Sequence, residues 1–139
     1  MDSAFASKFP ALFHVTRRSA LQGIRKNGLQ PPSRLAASQD NNITIDSNRD
    51  DWTKIVNIEG APVWLRWQRL RDHVLRTRLP PTIEPVEWRR FINGMVFFFP
   101  SLEKAQHLKR SPADIAVDQV ILRFCSTSLI QAGCDLRVC

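Results

Sequence analysis

The sequence predicts an α+β fold, and three features carry that expectation. Strand-like and helix-like segments alternate along the chain in an irregular order, with no internal repeat and no low-complexity segment. Hydrophobic residues make up 43% of the chain, as in a globular protein and unlike a disordered one. The length, 139 residues, suits one domain spanning 1–139, large enough to fold without a disulfide or a metal.

Met1 to Pro10 reads as a short leader. The apolar, β-branched run Ala11-Leu12-Phe13-His14-Val15-Thr16 predicts the first strand. Ser19 to Leu29 predicts a helix, with Ser19 as its cap, Leu21 and Ile24 on one face, Arg25 and Lys26 in the last turn, and Gly28 as its stop. From Pro31 to about Asp51 the polar residues show little periodicity, which predicts a surface loop with a short strand at Ile43-Thr44-Ile45.

Ala61 to Leu79 predicts a long helix, with Pro62 in its first turn and an apolar stripe of Val63, Trp64, Trp67, Leu70 and Val74. Pro80-Pro81 would end it. A shorter helix is expected from Pro85 to Ile92, after Glu84 and before the turn signal Asn93-Gly94. Met95 to Phe99 then reads as a buried strand. Ser101 caps a further helix with Leu102, Ala105 and Leu108 facing inward. Gln119 to Phe124 is a last clear strand, Ser126 to Ala132 a helical turn, and Leu136 to Cys139 the start of another strand.

Composition narrows the possible functions. No apolar run approaches the length of a membrane span. The N-terminus carries Asp2 and lacks the basic-then-apolar layout of a signal peptide, so a cytoplasmic location is expected. The three cysteines, Cys125, Cys134 and Cys139, form no C-x-x-C pair, and reduced structural thiols are expected. His14, His73 and His107 fall in different elements, so no metal site is expected. Neither G-x-x-x-x-G-K-[ST], G-x-G-x-x-G nor G-x-S-x-G occurs. The net charge of +7 suits a polyanionic partner such as nucleic acid, or a phosphate-bearing cofactor, and suits an inert basic surface equally well.

Chemistry concentrates in the first strand. Alternation along a strand puts His14 and Thr16 on one side and Phe13 and Val15 on the other. An imidazole beside a hydroxyl can hydrogen-bond a ribose, although a single strand histidine is more often structural.

The run Phe13-His14-Val15-Thr16, its following helix and Asn27-Gly28-Leu29 resemble the opening F-H-x-T…I-x-x-x-G-L signature of ADP-ribosyltransferase-like domains. That group includes the DNA-modifying toxins of the DarT type and the RNA 2′-phosphotransferases. Leu70-Arg71-Asp72-His73 resembles an L-R-D-Q motif, and Trp88…Ile92-Asn93…Val96-Phe97-Phe98-Phe99 resembles W-x-x-x-L-N-x-x-V-F-F-W. Together they resemble a bacterial family of unknown function, over about residues 11 to 139.

The resemblance implies a split mixed β-sheet with flanking helices, and NAD as the bound cofactor. ADP-ribose would pass to a nucleic acid or protein acceptor with loss of nicotinamide, and a toxin with an antitoxin or immunity partner would fit. It implies catalytic roles for His14 and Arg71. His14 would hold the nicotinamide-side ribose, the Val15 backbone the carboxamide, and Thr16 the strand end. Phe97 or Phe98, or Phe99 beside them, would wall the nicotinamide, while Ser33 and Arg34 would reach the diphosphate. Arg71 would contact phosphate or substrate, with Asp72 orienting it or capping a turn.

Departures from the pattern are His73 in place of Gln and Phe99 in place of Trp. The late strand Val120-Ile121-Leu122-Arg123-Phe124 also lacks the carboxylate such domains often place there, and Glu59, Glu84, Glu87 and Glu103 all fall in helix or loop contexts. The domain would then lack a final strand, use other catalytic groups, or be inactive. Two rivals remain: a basic module binding nucleic acid through an arginine-rich helix from Arg66 to Arg78 with Trp64 or Trp67 exposed, and an inactive relative serving as a protein-interaction domain.

Overall fold

The computed structural model describes residues 3–37, 45–58, 61–112 and 114–138. The chain packs as two compact units, Met1–Arg18 with Phe97–Cys139, and Ser19–Val96.

The first unit is built on β1 (Ala11–Arg17) and β4 (Gln119–Cys125), paired antiparallel in a register running from Ala11 opposite Cys125 to Arg17 opposite Gln119. Leu12 and Val15 are both buried, and their odd spacing places them on opposite faces, so β1 is covered on both sides. Helix α6 (Leu102–Lys109) packs against this pair through the fully buried Ala105. Ser101 starts it, its hydroxyl accepting the Lys104 N–H at 3.3 Å. Helix α1 (Ser3–Lys8) lies against α7 (Ser126–Gln131). The Ser126 hydroxyl donates to the Phe9 carbonyl, and its N–H reaches the Pro10 carbonyl at 3.1 Å.

The second unit centres on a hairpin of β2 (Thr53–Ile58) and β3 (Ala61–Leu65), with Thr53 opposite Leu65, Lys54 opposite Trp64 and Ile55 opposite Val63. Ile55 and Leu65 form a core with Ile45, and Leu35, Ala36 and Val63 pack onto it. Helices α2 (Leu21–Asn27), α3 (Pro32–Ala37), α4 (Asp72–Arg78) and α5 (Pro85–Asn93) complete the unit. Gly28 ends α2 at φ +79°, where a side chain would be strained. A reciprocal pair of bonds opens α5, with Glu84 accepting from the backbone at Glu87 while the Glu87 carboxylate takes the Glu84 N–H.

Several expectations are corrected. The leader contains a helix, α1, held by Ser126. No side chain caps α2, because a 3₁₀ turn at Arg18–Ala20 enters it and carries Ser19 inside that turn. The loop after Pro31 begins with α3, where Pro31 takes the capping position and Pro32 the first-turn position that proline favours. Of the short strand expected at Ile43-Thr44-Ile45, the first two residues lie outside the described ones, and Ile45 is a buried turn residue.

The long helix from Ala61 to Leu79 is instead strand β3, a connecting segment and the short α4. Pro62, which cannot donate to a ladder, sits where the hairpin register shifts between Ile55 and Ile58. Met95 to Phe99 is no buried strand: only Phe99 bridges to Phe13, and Phe97 is 48% exposed. Leu102 is exposed, so α6 turns in chiefly at Ala105. No strand forms at Leu136 to Val138. The described sheets are two antiparallel pairs, in place of one split mixed sheet.

Candidate functional site

Within the first unit, β1 brings together the residues that the opening motif singles out. Phe13 exchanges backbone hydrogen bonds with Phe99, N–H to carbonyl at 2.9 Å and carbonyl to N–H at 2.7 Å. Backbone groups alternate sides along a strand, so the N–H and carbonyl of Val15 point to the same edge as those of Phe13. A continuing ladder would next pair residue 15 with residue 97. There the His14 ring takes the Phe97 carbonyl, with Nδ1 2.8 Å from the oxygen.

That bond has a chemical consequence. A carbonyl only accepts, so Nδ1 carries a proton and donates it to Phe97. The Phe98 ring lies 5.8 Å from the imidazole at a 58° tilt, and is braced edge-on by Phe124 of β4 at 5.4 Å and 83°. His14 is half-buried, as are Thr16 and Phe98. The site thus places an oriented imidazole beside a fixed aromatic surface. Below it, Arg18 closes the strand end through Asp118, Nε lying 3.1 Å from both carboxylate oxygens.

Ser33, Arg34 and Arg71 belong to the second unit. Ser33 and Arg34 stand in the first turn of α3, Ser33 half-buried and Arg34 exposed. Arg71 holds the capping position of α4, its guanidinium paired with Asp50 at 3.1 and 3.2 Å. Asp72 does not orient it. The Asp72 carboxylate instead meets Arg89 of α5 at 2.6 Å, and the same guanidinium donates to the Leu70 carbonyl at 2.7 Å.

Arg89 is a residue that sequence reasoning passed over. With Pro85 and Asn93 it forms the buried stripe of α5, each four residues apart. Asn93 donates to the Ile45 carbonyl at 3.0 Å and to the Asp46 carboxylate at 3.3 Å, and Arg49 also reaches the Ile45 carbonyl, at 2.5 Å. Burial lowers the Arg49 pKa from the ordinary arginine value; Asp46 opposes that shift, and the nearby Arg89 charge adds to it. Arg89 therefore clamps the second motif, at Asp72 and the Leu70 carbonyl, to the helix that carries the third. Its signal in the sequence was a pair of polar residues, Arg89 and Asn93, four apart on an amphipathic helix.

Among the described residues no group of three or more metal-ligating side chains gathers, and no helix is long and apolar enough to cross a membrane. Taken together, the chain is an α+β protein of small antiparallel sheets with flanking helices. It belongs to a family of unknown function, DUF7002, whose model matches residues 10–137. Neither a curated protein nor a solved structure matches the chain.

Proposed function

We propose that the chain is an ADP-ribosyltransferase-like domain that binds NAD against β1 and transfers ADP-ribose to a nucleic acid or protein acceptor. The observation that carries this reading is the His14 Nδ1–Phe97 carbonyl bond, which orients the imidazole beside the Phe98 ring. A ribose hydroxyl bonded to the imidazole would lie where the nicotinamide can meet that ring. Thr16 shares the strand side of His14.

NAD supplies an activated bond between nicotinamide and ribose. That bond breaks with its electron pair leaving on nicotinamide, the acceptor's oxygen or nitrogen bonds to the ribose carbon, and the acceptor's proton passes to water. Strand β4, Gln-Val-Ile-Leu-Arg-Phe-Cys, carries no carboxylate to share in this step. The reading therefore rests on positioning by His14. A toxin held in check by an antitoxin or immunity partner is the biology such a domain would serve.

Titration calorimetry with NAD, beside label transfer from labelled NAD into a lysate, tests the proposal. Wild type should bind and transfer label, and His14→Ala should lose both while keeping the circular dichroism of the parent. Absence of NAD binding and of label transfer in the wild type removes the proposal.

A further inference from the structure

The β2–β3 hairpin has two chemically opposite faces. Ile55 and Leu65, with Val63, turn into the core. Strand alternation puts Lys54, Trp64 and the flanking Trp52 and Arg66 on the other side, and the register sets Lys54 opposite Trp64. Continued one step past Thr53 and Leu65, the same pairing sets Trp52 opposite Arg66. Both cross-strand pairs are a cation over an indole: the Arg66 guanidinium lies 4.4 Å from the Trp52 ring centre, and the Lys54 ammonium 6.0 Å from that of Trp64. A third pair follows directly, Arg69 over Trp67 at 4.6 Å. Three of the chain's four tryptophans are thus matched to cations within residues 52–69.

We propose that this face binds single-stranded nucleic acid, the bases stacking on the indole and guanidinium planes while Lys54 and Arg66 meet the phosphates. The proposal stands apart from the reading of His14. A guanidinium lying flat on an indole presents a planar outer surface to a base and in-plane donors to a phosphate. Same-face neighbours along a strand recur roughly every 6.6 Å, a spacing within reach of successive bases of an extended strand. Across residues 50–72 the cations Lys54, Arg66, Arg69 and Arg71 stand with the carboxylates Asp50, Asp51, Glu59 and Asp72. Asp50, just before the hairpin, is engaged by Arg71, and Asp51 holds the Trp52 N–H at 2.8 Å. With Asp50 met by Arg71 and Asp72 by Arg89, the hairpin face itself carries Lys54 and Arg66, which in a chain of net charge +7 fits an anionic polymer. A membrane anchor would instead need its indoles at an apolar tip, and here each is paired with a cation. A duplex hides its base faces, so stacking selects single strands.

Fluorescence anisotropy with labelled oligothymidylate, oligouridylate and a duplex of mixed sequence tests this at two salt concentrations. Wild type should bind single strands in preference to duplex, with affinity falling as salt rises, and the better of the two homopolymers identifies DNA or RNA. Trp64→Leu should weaken binding about ten-fold or more at an unchanged salt slope. Lys54→Gln should lower the slope by about 0.7, the value for one phosphate contact on a single strand. His14→Ala should bind oligonucleotide as wild type does, separating this result from the NAD test. Lys54 is exposed, so its variant decides the matter if Trp64→Leu does not fold. Equal affinity for duplex, tighter binding to phosphatidylserine vesicles or to polyglutamate, or unaltered binding by Lys54→Gln would overturn the proposal.

Discussion

Arg89 offers a sharp test of whether one side chain clamps the second motif to the helix of the third. Its side chain is 3% exposed and bonds the Asp72 carboxylate, itself 59% exposed, at 2.6 Å. Removing one partner of a fully buried ion pair costs about 3–5 kcal/mol, because the other charge stays desolvated. Asp72→Asn strands the Arg89 charge near the surface, where water reaches the vacated side, so about 2 kcal/mol is expected. Arg89→Met leaves the half-exposed Asp72 hydrated but abandons the Leu70 carbonyl, which implies a loss of about 1–3 kcal/mol. For a chain of this size, either change should lower Tm by several degrees. Urea unfolding of both single variants and the double variant measures the coupling, expected above about 1 kcal/mol for groups in direct contact. Additive losses, or an unmoved midpoint for Asp72→Asn, would refute the clamp.

Two other outcomes follow from local geometry. Hydrogen bonding from the Ser128 backbone, and then from its side chain, lowers the Cys125 thiol pKa, and the nearby Arg123 charge adds slightly. A lowered pKa means more thiolate at a given pH, so alkylation of Cys125 should reach half its plateau rate below the ordinary thiol value. In Ser128→Ala that midpoint should rise, as read by mass spectrometry across pH. Ser101→Ala removes the hydroxyl that accepts the Lys104 N–H, and should cost about 1 kcal/mol in urea unfolding.

The sequence revealed most where one local signal sufficed. Strands β1 and β4 are largely apolar runs, β1 opening just after Pro10, Gly28 is a left-handed stop, and Ser101 is a cap whose partner lies three residues away. Ala61 to Leu79 misled because Val63, Trp64, Trp67, Leu70 and Val74 also fit a helical stripe, and short apolar runs satisfy both periods. What decides for a strand is its partner, Thr53–Ile58, whose alternation matches that of β3 across the turn. At the candidate site, spacing alone paired His14 with Thr16 on one strand side. Legible nowhere in the sequence was the carbonyl that orients the ring, 83 residues away in the chain. Arg71 and Asp72 likewise read as a couple, whereas at adjacent positions they diverge to Asp50 and Arg89.

The two-faced hairpin also guards its own alignment. Sliding β2 by a single residue against β3 would turn Lys54 toward Ile45 and push Ile55 into water, stranding a charge and wasting a buried aliphatic in one move. Mispaired forms are thus penalised twice over, and the alternation that gives this surface its chemistry also proofreads the strand pairing beneath it.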